Sequence, residues 1–413
     1  MREQFSAFYK PDEAALANMW KSCVFVVDAN VLLNLYRYQP KSRDDLLKVL
    51  EKVKERLWVP HQAAMEYQRN RLRVINDQRQ SFGTVKTQIQ ESYHELDTRL
   101  KKLNLSGRHA QIDLVPFLAQ TKKLFDRFES KLDELEQKQP GIHDHDQVRQ
   151  QLDDLLGGVI GDAPDQGVVD DTAKEGRERY KHLMPPGYKD EAEKKNEFYT
   201  FDGVRYPAMF GDLILWRQII AKAKDADGKP FILITDDQKE DWWLKVGGQT
   251  IGPQPELVSE IMREAKIAGF HMYNVARFLA FAPQMLDVQV KKSSIEDAQE
   301  ISRQNAVKSR DTRWAASISL RFDSRIVESS SAVREVLRNV LPLGSSIVIF
   351  GHSGLIRIPE EVSGTEFATI AQAVKNTLPL VQAMLKVRKT GQSYKIVFDS
   401  TNDDTPDDED PSN

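Results

Sequence analysis

Two short apolar runs, each followed by acidic residues, constrain most strongly what this chain can fold into. Cys23–Val27 (CVFVV) precedes Asp28, and Phe231–Thr235 (FILIT) precedes Asp236 and Asp237. Short runs rich in Val, Ile and Phe are typical of strands that are buried on both faces. Because a charged residue cannot continue such a strand without a partner, the acids are expected just beyond the strand ends. The carboxyl ends of strands are where open α/β folds bind their ligands.

Between these runs and around them, helical and strand patterns alternate over residues 1–283. Ala29–Tyr38 and Asp44–Glu55 carry apolar residues at helical spacing, whereas Leu57–Val59 and Phe270–Val275 are typical of strands. Alternation of this kind predicts an α/β fold with a mainly parallel, Rossmann-like sheet and helices on both of its faces.

Three segments depart from this alternation. Residues of about 76–140 carry a heptad-like apolar pattern that is interrupted at Ser106–Gly107, which predicts a projecting hairpin of two antiparallel helices. Such a hairpin suits contact with a partner or a substrate, or equally a structural insertion. Residues of about 141–176 are rich in Asp, Gln and Gly and predict a mobile linker, and polar residues 284–312 predict a linker between domains.

Residues 313–400 predict a separate small α+β domain, and the acid-rich residues 401–413 predict a disordered tail. The expected strands and helices of this domain, in chain order, are the strand Ile318–Phe322, the helix Ala332–Leu341, the hairpin strands Ser346–Phe350 and Leu355–Ile358, the helix Phe367–Lys386 and the strand Tyr394–Phe398.

Composition limits the class of protein. The formal net charge of −4 means that any contact with nucleic acid must come from a local basic patch. The single cysteine, Cys23, allows no disulfide within the chain and suits a reducing compartment. There is no apolar run of bilayer length and no signal-peptide pattern at the amino terminus, so we expect a cytoplasmic protein without membrane contact.

Two further acids are expected at the edge of the sheet where Asp28 and the Asp236–Asp237 pair lie. Glu66 is in a helix that begins near His61, and Asp212 is in the first turn of a helix over Phe210–Ile220. Each acid alone has a simpler explanation, such as a helix cap or a favourable charge at a helix amino terminus. Helices in such folds begin at the edge where the strands end, so we expect the acids to converge.

Carboxylates gathered at one edge would repel one another unless cations lay between them. Oxygen-only ligands suit Mg²⁺ or Mn²⁺, whereas zinc favours histidine and cysteine. Ions of this kind activate water and stabilise the leaving oxygen during phosphodiester hydrolysis. The pattern therefore predicts a metal-dependent phosphodiesterase that uses Mg²⁺ or Mn²⁺.

The chain resembles PIN-domain nucleases, and most closely a bacterial PIN-like group. The resemblance lies in five stretches that occur in the family's order, namely FVVDANVLLNLYR, VPHQAAMEYQRNR, PPGYKD, GDLILW and TDDQKEDWW. It covers residues of about 1–280 and implies a PIN-like nuclease domain over residues 1–283. Residues 300–413 take no part in it.

The resemblance also implies roles for individual residues. The metal ligands would be Asp28, Glu66, Asp212 and one member of the aspartate pair that follows the second apolar run. The T-x-D spacing of the family favours Asp237, whereas strand geometry also allows Asp236, so both stay candidates for the fourth ligand.

Other residues are expected to support these ligands or to contact the substrate. Asn30 and Thr235 would support the ligands through hydrogen bonds. Four basic residues are candidates for phosphate contacts, although exposed charges that only aid solubility are an equally good explanation for each. These residues are Arg69, Arg73, Lys189 and Lys239.

The sequence therefore favours a metal-dependent nuclease, and specifically an endoribonuclease acting on single-stranded RNA rather than DNA. A role as a toxin or in defence against phage fits by association alone. Two alternatives stay open: a DNA-directed nuclease of the flap type, and a catalytically silent scaffold that binds nucleic acid or a protein. The helical hairpin and the C-terminal domain are candidate surfaces for a protein partner or a second copy of the chain.

Overall fold

The computed structural model describes residues 1–103, 111–311, 316–322, 341, 346–350, 353–358, 363–375, 380–387 and 393–397. The chain divides into two units, Met1–Asn305 and Ala306–Asn413. None of the described helices combines the length and the hydropathy that a membrane span requires.

Helices and strands are interspersed along the chain. The helices are α1 (Glu13–Ser22), α2 (Ala29–Asn34), α3 (Pro40–Lys52), α4 (His61–Lys102), α5 (Val115–Lys138), α6 (Gln147–Leu156), α7 (Gln166–Lys181), α8 (Glu191–Lys194), α9 (Gly211–Lys224), α10 (Pro255–Ala265), α11 (Val275–Leu286), α12 (Lys292–Asp311) and α13 (Gly364–Lys375). The strands are β1 (Val24–Val27), β2 (Leu57–Trp58), β3 (Phe198–Phe201), β4 (Val204–Pro207), β5 (Phe231–Ile234), β6 (Trp243–Val246), β7 (Gln249–Pro253), β8 (Phe270–Tyr273), β9 (Ala316–Phe322), β10 (Ser346–Phe350), β11 (Ser353–Ile358), β12 (Leu380–Val387) and β13 (Ser393–Val397).

A four-stranded parallel sheet with the order β2-β1-β5-β8 forms the centre of the first unit. Val27 is in register with Ile234, and Ile234 is in register with Tyr273. The strands therefore end at the same level, and the residues that follow them meet at one edge. The two apolar runs, CVFVV and FILIT, form β1 and β5, which pair in parallel and end at one edge of the sheet.

Aromatic side chains cover both faces of this sheet. On one face, Phe25 packs against Trp20 of α1 and Phe278 of α11, with ring centroids 5.1 and 5.8 Å away. On the other face, Phe270 packs edge-on against Trp216 of α9 at 5.4 Å. Each such burial contributes about 1.5–3 kcal/mol. Both faces are thus buried, as a parallel sheet requires, and the predicted α/β fold is confirmed.

The helical insertion is a hairpin formed by α4 and α5. Lys86 of α4 donates to Glu136 of α5 over 2.6 Å, and the rings of Tyr93 and Phe125 are 5.4 Å apart. Because the start of α4 carries Glu66, one continuous helix joins the edge of the sheet to the hairpin.

The prediction of a mobile linker over residues 141–176 is wrong. This segment contains α6 and most of α7, and α6 buries Val148, Leu152 and Leu155 in the core of the first unit. Asp146 caps α6 and forms a 2.5 Å ion pair with Arg71 of α4. The apolar stripe of α6 is only three turns long, so the polar composition around it concealed the helix.

The prediction of an interdomain linker over residues 284–312 is also wrong for most of its length. Helix α12 occupies residues 292–311, and the first unit extends to Asn305. The buried positions of α12 are Ser294, Ala298 and Ser302, which are spaced four residues apart. Small and polar residues face the core here, so no apolar periodicity marked the helix.

The second unit contains a five-stranded antiparallel sheet with the order β10-β11-β9-β12-β13, together with α13. The predicted helix Phe367–Lys386 is only half correct, because α13 ends at Lys375 and β12 occupies Leu380–Val387. Pro379, which rarely continues a helix, was the signal for this change. Residues 332–340 of another predicted helix, and the acidic tail 401–413, lie outside the described residues.

Candidate active site at the carboxyl edge of the sheet

Asp28 lies at the end of β1 and caps α2. Its Oδ1 accepts a hydrogen bond from the backbone N–H of Ala29 over 2.6 Å, so the capping role is present. Its Oδ2 accepts from Asn30 Nδ2 over 2.5 Å and from the hydroxyl of Thr235 over 2.7 Å. The carboxylate is thus both a helix cap and a group held in one orientation by donors from two strand ends.

Asn30 and Thr235 join the ends of β1 and β5. Asn30 Nδ2 donates to the Thr235 hydroxyl over 3.0 Å, and Asn30 Oδ1 accepts from the backbone N–H of Asp236 over 2.8 Å. The Thr235 hydroxyl also accepts from the backbone N–H of Asp237 over 3.1 Å. Asn30 and Thr235 therefore link the Asp28 carboxylate to the backbone N–H groups of Asp236 and Asp237.

Glu66 and Asp212 approach each other from near the amino ends of α4 and α9, with Asp212 in the first turn of α9. Glu66 Oε1 accepts from Gln62 Nε2 over 2.7 Å. A Cβ atom at Gly211 would lie only 3.0 Å from Glu66 Oε1, so the residue before Asp212 has little room for a side chain. This close approach gives a physical reason for glycine in the G-D motif.

The electrostatics of Asp28 show that the carboxylates converge. Burial raises the pKa of Asp28 to about 7 against the hydrogen bond from Thr235, and the charges of Glu66, Asp212 and Asp237 raise it further. Burial and the charge of Asp212 likewise raise the pKa of Glu66. Burial is the larger cause of both shifts, and the neighbouring carboxylates act in the same direction.

Lys239 lies among these acids, and its contact with phosphate stays a prediction. Its ammonium is 2.7 Å from Asp190 Oδ1, 2.7 Å from Asp212 Oδ2 and 3.2 Å from Asp237 Oδ2. Burial alone would lower the pKa of Lys239, but the three carboxylates raise it well above its ordinary value. The ammonium is therefore an internal cation that partly compensates the acids.

The two acids beside Lys239 respond in opposite directions. Burial alone would raise the pKa of Asp212, but Lys239 and Lys194 lower it below its ordinary value. The pKa of Asp237 stays raised, because burial and the charge of Asp212 outweigh Lys239. The indole N–H of Trp242 also donates to Asp212 Oδ2, over 3.2 Å.

Asp190 is a member of the site that sequence reasoning missed. Its side chain is 10% exposed, and it accepts from Lys239 over 2.7 Å and from Lys194 over 2.6 Å. The signal was the PPGYKD stretch, in which Asp190 is the final residue. We call Asp28, Glu66, Asp190, Asp212 and Asp237, together with Lys239, the edge cluster.

The turn that delivers Asp190 needs glycine at position 187. Gly187 has φ +94°, and a Cβ atom there would lie 3.1 Å from the Cβ of Asp212 and in collision with the hydroxyl of Tyr180. The backbone N–H groups of Gly187 and Lys189 both donate to Asp241 Oδ2, over 2.9 and 3.1 Å. The PPGYKD stretch is thus fastened to the loop that carries Lys239.

Asp236 does not belong to the edge cluster, although it was an equal candidate for the fourth ligand. It is only 3% exposed, and its Oδ1 accepts from the backbone N–H of Val275 over 3.0 Å and from Ser302 over 2.9 Å. Its Oδ2 accepts from Asn34 Nδ2 over 2.8 Å. Asp236 therefore fastens α2, α11 and α12 to the end of β5, while Asp237 faces the cluster.

The remaining basic candidates lie outside the cluster. Arg69 and Arg73 are exposed on α4, and the guanidinium of Arg69 lies 4.0 Å above the ring of Tyr199. The Lys189 side chain is 42% exposed and pairs with Glu240 over 3.2 Å. Their placement is compatible with phosphate contacts at the surface, and no contact in the structure assigns that role.

The donor chemistry of the edge cluster fits a hard divalent cation. Its ligating groups are all carboxylates, and burial, together with the charges of Glu66, Asp212 and Asp237, raises the pKa of Asp28. Among the described residues, no set of three or more His, Cys, Asp or Glu side chains is already arranged around a common metal position. The nearest cation to Asp212 and Asp237 in the structure is the lysine ammonium.

The family assignment follows from comparison of the chain with known protein families. The model of a family described as PIN like domain matches residues 24–257, which is more than half of the chain. Neither the curated proteins nor the solved structures contain a significant match. PIN-like domains form a superfamily of nucleases that typically depend on divalent metal ions. With β1, Glu66, Asp212 and β5 all inside the matched region, this chain belongs to the PIN-like domain family.

Proposed function

We propose that this protein is a metal-dependent nuclease that cleaves single-stranded RNA internally. The observation that carries the proposal is the convergence of Asp28, Glu66, Asp212 and Asp237 at the carboxyl edge of a parallel sheet, where Thr235, Lys239 and Gly211 contact them. Membership of the PIN-like family supports the coarser statement, that of a nuclease. The preference for RNA comes from the resemblance described above.

The chemistry that Mg²⁺ or Mn²⁺ supplies at such a site is an activated water and a stabilised leaving oxygen. Asp28, Glu66, Asp212 and Asp237 would hold the ion. Asn30 and Thr235 keep Oδ2 of Asp28 in one orientation through hydrogen bonds of 2.5 and 2.7 Å. Because these donors come from rigid strand ends, the carboxylate needs little reorganisation when the ion binds.

Lys239 gives the same edge a fixed positive charge. In the structure its ammonium donates to Asp190 and Asp212, and both contacts are 2.7 Å long. With Asp212 among the residues that would hold the ion, the Lys239 ammonium would be able to donate to a phosphate oxygen of the substrate. Lys239 would then restrain the position of the substrate while Asp190 keeps the ammonium at the site.

The test compares the full-length protein with Asp28→Asn, in the presence of Mn²⁺, on single-stranded RNA and single-stranded DNA of the same sequence. We expect cleavage by the unmutated protein, faster on RNA, and a loss of about 10²-fold or more in the variant, since loss of one key charge-stabilising group costs that much. Asp202→Asn, in the exposed turn of the β3–β4 hairpin, is the matched control and should cleave normally. Faster cleavage of DNA would instead favour the DNA-directed alternative.

A catalytically silent scaffold is the second candidate, and one observation favours it. Lys239 already contacts Asp190, Asp212 and Asp237, as a cation built into the protein would do in a site that no longer needs a metal. Absence of Mn²⁺-dependent cleavage from both the unmutated protein and Asp28→Asn, with calorimetry showing no Mn²⁺ binding, would establish this reading in place of the nuclease.

A further inference from the structure

A stack of flat groups runs from the core to the surface beside Glu66. The rings of Tyr206 and Tyr199 are parallel within 11° and their centroids are 5.1 Å apart, and the Arg69 guanidinium lies over the Tyr199 ring, 4.0 Å from its centroid. Tyr206 is 1% exposed, whereas Arg69 is exposed. The stack is therefore anchored in the protein interior and ends in an accessible flat cation.

Phe201 extends this surface along the same strand. It is two residues beyond Tyr199 on β3, so both side chains lie on the same face of the β3–β4 hairpin. The register agrees, because Tyr199 is opposite Tyr206 and Phe201 is opposite Val204. Phe201 is 54% exposed, which leaves a large aromatic surface in water on the strand face that also carries Tyr199.

Hydrogen bonds connect this surface directly to the edge cluster. Gln62 Nε2 donates to the hydroxyl of Tyr199 over 3.0 Å and to Glu66 Oε1 over 2.7 Å. One amide group thus separates the stacked ring from a carboxylate of the proposed active site. A strand that lay over the cluster would pass next to the hairpin.

We propose that Arg69, Tyr199 and Phe201 form a platform on which bases of single-stranded nucleic acid stack beside the cleavage site; the proposal rests on the function proposed above. The Arg69 plane accepts a base by stacking and also attracts the phosphate backbone. Phe201 offers an aromatic ring to the neighbouring base. Bases in a duplex are already stacked on one another, so the platform selects single strands, whether RNA or DNA.

The test measures binding in a variant that is expected not to cleave the oligonucleotide. In the full-length Asp28→Asn background, fluorescence anisotropy is measured with a labelled 12-mer of uridine, the corresponding thymidine 12-mer, an abasic 12-mer and a duplex. Phe201→Ala and Arg69→Lys, which keeps the charge and loses the plane, should each weaken binding of the uridine and thymidine 12-mers roughly tenfold. The abasic 12-mer and the duplex should bind the Asp28→Asn protein at least that much more weakly.

The hairpin supplies a matched control. Phe198 is 52% exposed and lies on the opposite face of β3, where Arg205 covers its ring at 4.2 Å. Phe198→Ala should leave the affinity within about twofold of the Asp28→Asn protein. Equal losses in Phe198→Ala and Phe201→Ala, full affinity in Arg69→Lys, or tight binding of the abasic 12-mer would each overturn the platform.

The design separates this proposal from the nuclease proposal. Failure of the nuclease proposal appears as an unmutated protein that does not cleave although the Asp28→Asn background binds the uridine 12-mer with base dependence. Failure of the platform appears as Mn²⁺-dependent cleavage by the unmutated protein while Phe201→Ala and Arg69→Lys, in the Asp28→Asn background, bind every oligonucleotide as that background does. Melting temperatures of all the variants verify that each one is folded.

Discussion

Two clusters of charged side chains in the first unit shift the pKa of a buried acid in opposite directions: the pKa of Glu260 is lowered and that of Asp28 is raised. The arginine cluster consists of Arg179, Arg217, Glu175, Glu260 and Glu264, and the edge cluster brings five carboxylates toward Lys239. Arg179 and Arg217 are matched by carboxylates in direct contact. In the edge cluster, acids outnumber the nearby lysines, and the pKa of Asp28 is raised to about 7 by burial and by its acidic neighbours.

Glu260 shows what complete compensation does to a buried acid. It is 3% exposed, Arg179 donates to both of its oxygens over 2.5 and 2.9 Å, and the indole of Trp216 donates to one of them over 2.7 Å. Burial alone would raise the pKa of Glu260, but these hydrogen bonds hold it below its ordinary value. The comparison indicates that the arginine cluster stabilises the fold, whereas the edge cluster retains charge for a ligand.

The largest expected loss of folding stability comes from a substitution that disrupts the arginine cluster. Glu260→Gln keeps the shape of the side chain but leaves Arg179 and Arg217 without their shared carboxylate. Removing one partner from a buried ion pair costs about 3–5 kcal/mol, and we expect a loss of that size from urea denaturation. Glu264→Gln, whose side chain is 26% exposed, should cost under about 1 kcal/mol. Similar losses in the two variants would contradict the role assigned to Glu260.

The next largest loss of folding stability is expected when the ammonium of Lys239 is removed from the edge cluster. Lys239→Met removes the ammonium from Asp190, Asp212 and Asp237 and should lower stability at pH 7.5 by about 2–3 kcal/mol, since the acids then repel one another unopposed. Mn²⁺ should raise the melting temperature of this variant more than that of the unmutated protein, and chelation should reverse the gain.

Lys189→Met is the control for this prediction. Lys189 lies in the segment that is fastened to the loop of Lys239, but its side chain is 42% exposed and pairs with the exposed Glu240 over 3.2 Å. Its loss should cost under about 1 kcal/mol and leave the response to Mn²⁺ unchanged. If the two variants melt alike in the absence of metal, the ammonium of Lys239 contributes no compensation.

A smaller effect concerns pH. Because the folded pKa of Asp28 is raised to about 7, the folded protein binds a proton there that the unfolded chain releases near pH 4. Stability from this group is therefore present at low pH and is lost as the pH rises from about 4 to 7. Asp28→Asn should flatten that part of the stability profile. It should be more stable than the unmutated protein at pH 7.5 by about 1 kcal/mol, because the roughly 4 kcal/mol from the pKa difference is offset by hydrogen bonds that the amide cannot accept.

Denaturation in urea between pH 4.5 and 8 measures this difference. Asp241, whose pKa burial raises to about 6, contributes a slope of the same sign, so only the difference between the two proteins reports on Asp28. Parallel profiles for the unmutated protein and Asp28→Asn would show that the carboxylate is not held among uncompensated acids.

The sequence could predict the edge cluster in outline because its signals are local. An apolar run that ends in an acid identifies a strand end, and parallel strands bring their ends together. Asp28 was found in this way, and Glu66 and Asp212 were found because helices in such folds begin at the same edge. The choice between Asp236 and Asp237 could not be made, because it depends on which side chain meets Asn34 and Ser302, and these contacts join positions 202 and 66 residues apart.

Lys239 and Asp190 illustrate a different limit. A lysine in a polar loop looks like a solvated charge, and only the fold shows three carboxylates around it. Asp190 depends on a glycine turn whose left-handed backbone brings PPGYKD against Asp212. The surroundings of both residues come from contacts between distant segments of the chain, and local sequence periodicity does not predict such contacts.

The smallest predicted effect concerns an acid compensated without any cation. Asp236 is buried, and its Oδ1 accepts from the backbone of Val275 and from the Ser302 hydroxyl of α12 over 3.0 and 2.9 Å. Ser302→Ala removes one neutral donor and should cost about 1 kcal/mol in urea denaturation, against no measurable change for Ser293→Ala on the exposed side of the same helix. The loss should grow as the pH rises, since the raised pKa of Asp236, caused by burial, makes its ionised form the one that most needs the donor. A pH-independent loss would mean that Ser302 only fills space, and neutral donors would then play no part in stabilising the buried charge.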